Sequence, residues 1–415
     1  MDTSPLYVRH INLTTLYRLV SGSIVLVSIA GFALIQRQSV RAFSVIYIDG
    51  LSCFTLLIAG LLMLRLPGQW RRIGQLVALG LAMISGHLVG IAIGLLGVAV
   101  LSERWPNRIA GAAMAAGYGL IGFRATSWHL SMSGDGLNSI SFLLLLAGVV
   151  MMVGALDLPA APVPPPVDPL ATVTGLVALL RLFSVGPWNL GWQLATFVVG
   201  GTLGVSAAWY ALTSSDPFAA EEWITRSLSG LAIIAIGCAS SAGVAATGVL
   251  LGHLTVRRLT QPAAGTSRWA GWLLTGAVPG TLGFVALWSA SAAVMAAGVA
   301  ALAVVVWATA LLLMVAGGRQ IRTTRRWAST VGAGVSLSLG IAAPALSRWL
   351  IRPISDQLQG GLTPYGAIEP WGWAGMLALD AGSRIAATAP GVVLLLLMGL
   401  IGALAWLISR WCERV

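Results

Sequence analysis

The sequence predicts an all-α polytopic membrane protein, one transmembrane domain over residues 1–415 with about thirteen spanning helices. Three observations carry this. Of the 415 residues 57% are hydrophobic and only 9% charged, against roughly 45–50% and roughly 25% in a soluble domain. Apolar runs follow one another from residue 17 to residue 409 with little between them. The arginines gather in the short connections, where basic residues flank membrane helices.

Residues 1–15 are polar, with Arg9 and His10, and the run 17–36 has no small-residue cleavage site. It reads as a first span and not as a removable signal peptide. Runs 44–64, 73–85, 87–102, 109–123 and 138–156 follow. At about 1.5 Å per residue, 73–85 and 87–102 are short for a hydrocarbon layer of roughly 30 Å. The stretch around Ser85-Gly86-His87 is therefore one long tilted helix or a tight hairpin. Runs 168–184, 190–212, 228–252, 269–287, 289–316, 328–347 and 386–409 complete the set, with an apolar piece around 372–384.

Two segments break the pattern. Residues 158–169 hold six prolines, and each ring removes an amide donor and blocks the preceding turn. The helix near 154–170 is therefore interrupted, either by a rigid extramembrane linker or by a re-entrant segment lining a cavity. Residues 352–373, with Asp356, Gly360, Gly361, Pro364, Glu369 and Pro370, read as a surface loop.

The 24 basic residues against 13 acidic ones leave net +11, and every basic residue is arginine. A mechanism needing a lysine of lowered pKa is excluded, because arginine stays protonated. The clusters Arg65, Arg71, Arg72, then Arg104, Arg108, then Arg319, Arg322, Arg325, Arg326 place the amino terminus with Arg9 on the cytoplasmic side, although Arg37 and Arg41 argue the other way. With no basic patch, nucleic acid is not an expected partner. Cys53, Cys238 and Cys412 lie far apart and read as packing residues, neither disulfide nor metal cluster. No phosphate loop, His-Glu metal spacing or nucleophile–base set is present. The chain is expected to hold no cofactor, no metal and no catalytic centre of its own, whether or not it belongs to an enzyme complex.

Ionisable residues inside apolar runs are the candidates for function, because a charge in hydrocarbon costs several kcal/mol unless paired or hydrated. Asp49 stands before Gly50, where it forms a helix start or a site. His87 occupies the polar turn. Asp157 follows an apolar helix and either faces a cavity or sits at the interface. His253 and Arg257 share a helix face one turn apart; they form a proton-shuttling pair or mark a helix end. Asp380 and Arg384 have the same spacing with opposite sign, which permits an intrahelical ion pair. Arg181 reads as a snorkelling anchor.

Four stretches in order resemble the antiporter-like membrane subunits of respiratory complex I, membrane-bound hydrogenases and Mrp-type antiporters. Tyr47-Ile-Asp-Gly-Leu-Ser52 is similar to that family's Asp-Gly-Leu-Ser helix start. Gly154-Ala-Leu-Asp-Leu-Pro159 with Pro165-Pro-Val-Asp-Pro-Leu170 resembles its Lys-Ser-Ala-Gln-Leu-Pro run and the Pro-rich stretch after it. His253-Leu-Thr-Val-Arg257 resembles its His-x-x-x-Lys helix, and Pro279-Gly-Thr-Leu-Gly-Phe-Val-Ala-Leu287 its Pro-Pro-x-x-Gly-Phe-x-Ser-Lys. The resemblance is strongest over 45–290. It implies a bundle with an interrupted helix and a line of buried lysines and a glutamate that carries protons. Those positions fall at or near Leu96, Gly154, Val177 and Leu287, all uncharged here. His253 survives, and Arg257 stands in a lysine's place, unable to release a proton.

The resemblance further implies a subunit of a heteromeric complex in the bacterial inner membrane, surrounded by lipid. It would couple proton or sodium movement to a partner's work through His253, Arg257, Asp157, Asp380 and Arg384. The implied partners are neighbouring antiporter-like or electron-transfer subunits, or the large cytosolic zinc-containing subunit of two-component CO2/bicarbonate accumulation systems. The alternative is a non-conducting helical anchor.

Overall fold

In a chain that is 57% hydrophobic, with apolar runs throughout, capping and breaking residues set the helix ends. The computed structural model describes residues 13–35, 40–42, 46–66, 69–157, 164–260, 273–274, 278, 280–319, 327–358, 367–371, 376–381 and 384–387. A first helix, α1 (Leu13–Leu34), packs on α2 (Gly50–Arg65), and a short hairpin, β1 (Val40–Ala42) with β2 (Ile46–Ile48), lies between them in sequence. The helices α3 (Trp70–Ile84), α4 (Leu88–Leu101), α5 (Trp105–Arg124) and α6 (Ser139–Met152) form a ladder, α4 packing on α3, α5 on α4 and α6 on α5. After the proline-rich stretch come α7 (Pro169–Arg181), α8 (Leu190–Thr213), α9 (Pro217–Gly237) and α10 (Ser241–Thr260), then α11 (Leu282–Ala296), α12 (Ala300–Arg319) and α13 (Trp327–Ile341). The chain continues through α14 (Ala343–Leu346), a π turn at Ser347–Ile351 and α15 (Arg352–Gln357).

Short polar side chains cap these helices by accepting from the first free amides. Asp49 accepts from Ser52, Asn138 from Ile140 and Ser141, Asn189 from Trp192, and Thr281 from Phe284. Asp168 and Asp216 cap α7 and α9, and each precedes a proline at the first helical position, whose missing N–H costs nothing there. The centre of the bundle is α7, buried at every residue from Leu170 to Arg181, beside α9, buried from Trp223 to Gly237. Helices apolar all round belong in such a centre.

Among the described residues three helical stretches, Tyr17–Leu34, Leu190–Thr213 and Ala301–Gly318, are long and apolar enough to cross a membrane by length and composition. Shorter apolar helices such as α2, α4, α6 and α11 accompany them.

Of the two forms open to the stretch 73–102 the structure has the hairpin, made of α3 and α4. It departs from the sequence expectations at three places. The run 228–252 is two helices, α9 and α10, separated at Ala239, whose φ of 46° is left-handed. Residues 352–357, expected within a surface loop, are helical because Pro353, Ile354 and Ser355 are buried against the bundle. Downstream, β3 (Ala367–Trp371), β4 (Met376–Ala381) and β5 (Arg384–Ala387) form an antiparallel sheet where the Asp380–Arg384 spacing in the apolar piece around 372–384 presupposes a helix. The expected helix 386–409 lies outside the described residues save its first two positions, which belong to β5.

Candidate functional site

Charged side chains meet in two layers at opposite ends of α7. At its carboxyl end Arg181, fully buried, forms an ion pair with Asp49 at the start of α2. The same guanidinium donates to Ser52 Oγ at 3.0 Å and to the Met83 carbonyl at the end of α3. Ser52 also donates its hydroxyl to Asp49 Oδ1 at 2.6 Å, and the Tyr47 ring lies over the guanidinium, 5.3 Å from centroid to Cζ. The pair costs desolvation of two charges, offset by mutual attraction and by the extra donors and acceptors around it. Arg181 is thus no snorkelling anchor: the last turn of α7 points into protein and meets an acid there.

At the other end four elements converge. Arg258 of α10 grips Glu222 of α9 with two bonds of 2.6 and 2.7 Å, and Glu222 also accepts the Val167 amide at 2.7 Å. Arg257 binds Glu221 at 2.5 Å and donates to the Leu274 carbonyl at 2.7 Å. Arg72 of α3 pairs with Asp168, the α7 cap, at 2.6 Å. Arg226 of α9 donates to the carbonyls of Gly154 (3.0 Å) and Pro165 (2.8 Å) and lies 4.8 Å over the Trp223 ring. One helix thus holds both sides of the proline-rich interruption. Gly154 has φ +76°, which glycine adopts without the cost of a Cβ.

Between the layers α7 runs 13 residues, about 20 Å at ~1.5 Å each. Its hydroxyls turn inward on the helix: Thr172 donates to the Asp168 carbonyl at 3.1 Å and Thr174 to that of Leu170 at 2.7 Å. A cavity of about 20 Å³, room for one water, opens among Thr172, Thr225, Thr255 and Arg258.

His253 is 1% exposed, and neither ring nitrogen has a hydrogen-bond partner among the described residues. Arg257 follows one turn later, engaged by Glu221. A buried imidazole without partners is unusual enough to require a role or a water. Asp157 ends the one-turn helix Ala155–Asp157, just past the Gly154 carbonyl held by Arg226. Asp380 and Arg384 are not one helical turn apart: Asp380 lies in β4 opposite Ile385, and Arg384 in β5 opposite Ala381, so helical spacing does not apply. Of the expected site residues, the structure brings together His253 and Arg257 on one helix and leaves Asp380 and Arg384 in a separate sheet.

The positions where the resemblance expects charges are informative. Val177 and Leu287 are buried and Leu96 is 44% exposed on the outer face of α4. Gly154 carries no charge of its own but receives that of Arg226. His87 caps α4, its Nδ1 accepting from Val89 at 3.4 Å, and lies edge-on to His129 at 5.6 Å. Burial, and then the neighbouring His129, hold its pKa below the ordinary histidine value. Cys53 and Cys238 are free and buried, and Cys412 lies outside the described residues.

Sequence reasoning missed Glu221, Glu222 and Arg226. A signal existed: two acids and an arginine one turn on, after an Asp-Pro cap, at the head of an apolar run.

No family model and no curated protein matches the chain. Solved structures do. A chain of the Mrp complex from Dietzia sp. DQ12-45-1b superposes with TM-score 0.66 and 14% identity, covering 84% of this chain and 94% of that one. A chain of the membrane-bound sulfane sulfur reductase, an archaeal respiratory membrane complex, gives TM-score 0.68 and 13% identity, covering 96% of this chain and 81% of that one. The fold is therefore that of subunits of such membrane complexes, the kind the sequence motifs resemble. The protein is a helical membrane protein.

Proposed function

We propose that the chain is a multi-pass subunit of a heteromeric complex in the bacterial inner membrane, coupling proton or sodium movement to the work of a partner subunit. Its helices, about thirteen in all, would span the bilayer, the shorter ones within the protein interior. The observation that carries the reading is the pair of buried ion layers at the two ends of α7, with His253, which has no hydrogen-bond partner among the described residues, beside the second. Ionisable groups in a membrane interior are retained at a cost and are functional by default. The candidate pathway runs through His253 and Arg257, with Asp157 near the interruption and Asp380 and Arg384 as its outlying members.

The work is linked to respiratory electron transfer or to CO2/bicarbonate uptake. The partner is correspondingly a set of neighbouring antiporter-like or electron-transfer subunits, or a large cytosolic zinc-containing subunit. The two superposed chains described above come from an Mrp complex and a respiratory complex, which supports the first set. A second reading, a non-conducting anchor, is favoured by the absence of charge at Leu96, Gly154, Val177 and Leu287.

Purification of the assembled complex identifies the partner chains. In reconstituted vesicles with a pH-reporting dye, His253→Ala should abolish partner-driven ion movement while assembly is retained. Ion movement at the wild-type rate in that variant refutes coupling through His253 and leaves the anchor.

A further inference from the structure

Above the Asp49–Arg181 pair the fold leaves a vestibule of about 220 Å³, room for several waters at ~30 Å³ each. Its walls come from four separate places: Tyr47 of β2, Ser131 between α5 and α6, Ser184 and Gly186 after α7, and Gln357 at the end of α15. Ser131 is exposed at its rim. Ser184 lines the vestibule, and its hydroxyl, turned out of it, has no hydrogen-bond partner among the described residues. Gln357 accepts from the Gly50 amide at 2.6 Å, one residue from Asp49. Tyr47 is shared: one side of it lines the vestibule and its ring covers the Arg181 guanidinium.

We propose that this vestibule is an aqueous port through which Asp49 exchanges a proton with one face of the membrane, with Tyr47 as the barrier between them. The assignment rests on the coupling reading above and names the port on the side away from His253. The proton leaves a hydronium in the vestibule, passes the edge of the Tyr47 ring and binds Asp49 Oδ2, and a water molecule stays behind. The Arg181 contact to that oxygen breaks, while the guanidinium keeps its bonds to Ser52 and the Met83 carbonyl. Among the described residues Arg181 from α7, Tyr47 from β2 and Cys53 from α2 stand at the pair, and Tyr118 from α5, whose hydroxyl donates to the Ala178 carbonyl at 2.6 Å, lies on the Arg181 side of it. Asp49 is the carboxylate among them.

Two measurements on the full chain in sealed vesicles test this without requiring ion transport. With Cys53 and Cys412 replaced by alanine, the fully buried Cys238 serves as an unreactive reference. Ser131→Cys and Ser184→Cys should then react with a membrane-impermeant thiol reagent from the same single face, Ser184→Cys at least tenfold faster than Cys238. Reaction of Ser184→Cys no faster than Cys238, or from both faces alike, overturns the port. Infrared difference spectra on acidification should show a carboxylic-acid carbonyl band that vanishes in the double variant Asp49→Asn, Arg181→Gln, which removes both charges together and so retains the fold. Spectra identical to wild type overturn Asp49 as the acceptor. A complex that moves no ions would instead contradict the coupling reading and leave both results standing.

Discussion

Replacing Glu222 with alanine isolates the contact that ties α9 to the interrupted stretch. Residues 164–169 read Pro-Pro-Pro-Val-Asp-Pro, so only Val167 and Asp168 carry an exchangeable amide there. The Val167 amide donates to Glu222 at 2.7 Å, and the carboxylate is only 13% exposed, so water screens it little. A hydrogen bond to a charged acceptor contributes about 1.5–3 kcal/mol. Its loss should speed hydrogen exchange at Val167 by about 10- to 150-fold, at ~1.4 kcal/mol per factor of ten. Arg258 simultaneously loses both of its bonds to Glu222, and breaking a buried pair from one side costs about 3–5 kcal/mol. Exchange mass spectrometry on a peptide covering 164–170 in lipid nanodiscs reads the first effect, and loss of heat-resistant monodisperse protein reads the second. A change below about twofold at Val167, with α9 still protected, would refute the claim that Glu222 holds this segment.

Arg181→Met alone should destabilise the protein by about 3–5 kcal/mol, because Asp49 is left buried and unpaired, and adding Asp49→Asn should recover most of it; a double-variant cycle of thermal stability in detergent checks the coupling. Gly230→Ala should cost about 1–3 kcal/mol, since a Cβ there would come within 2.6 Å of the Gly204 amide where α8 and α9 meet; unaltered melting would show that the two helices can part. Asp135, in the exposed connection between α5 and α6, accepts from the Thr126 amide at 3.0 Å, and that bond holds its carboxyl below the ordinary range. A lowered folded value means the contribution is present above the unfolded pKa and fades as pH falls through the folded one. The melting difference between wild type and Asp135→Asn should therefore be largest near neutrality and close below about pH 4.

Much of the helical ladder is legible because α1 and α3 to α8 coincide with apolar runs and the starts of α5 to α8 with Asn, Asp or Pro. The division of α9 from α10 is not: it turns on Ala239, and no local rule marks an alanine for a left-handed conformation. Asp49 was legible as a helix start, since Asp-Gly-Leu-Ser states its own cap. Its partner was not, because Arg181 lies 132 positions away at the end of an apolar run, where the local reading is a side chain reaching for the interface. Glu221 and Glu222 fall outside the apolar window and are half-buried, just ahead of the fully buried stretch of α9 that starts at Trp223. The sheet at 367–387 escaped for another reason: a short apolar run does not distinguish strand from helix by composition.

A chain without lysine constrains how charge in such a bundle can move. Four acids, Asp49, Asp168, Glu221 and Glu222, each face an arginine, so the positive half of each of these pairs is permanent. Arg226 makes the same point at the interruption. The resemblance expects a lysine on the broken helix at Gly154, a group that could lose its proton. Instead α9 brings a guanidinium to the Gly154 and Pro165 carbonyls from outside, which keeps the charge and gives up its titration. Arginine therefore cannot take part in releasing a proton, and each of these carboxylates that accepted one would leave an arginine uncompensated in a medium where that costs several kcal/mol. Protonation at one pair then favours whatever rearrangement brings that arginine a new acceptor. Arg181, Arg257 and Arg226 already donate to backbone carbonyls, so an arginine that lost its acid would still keep one acceptor.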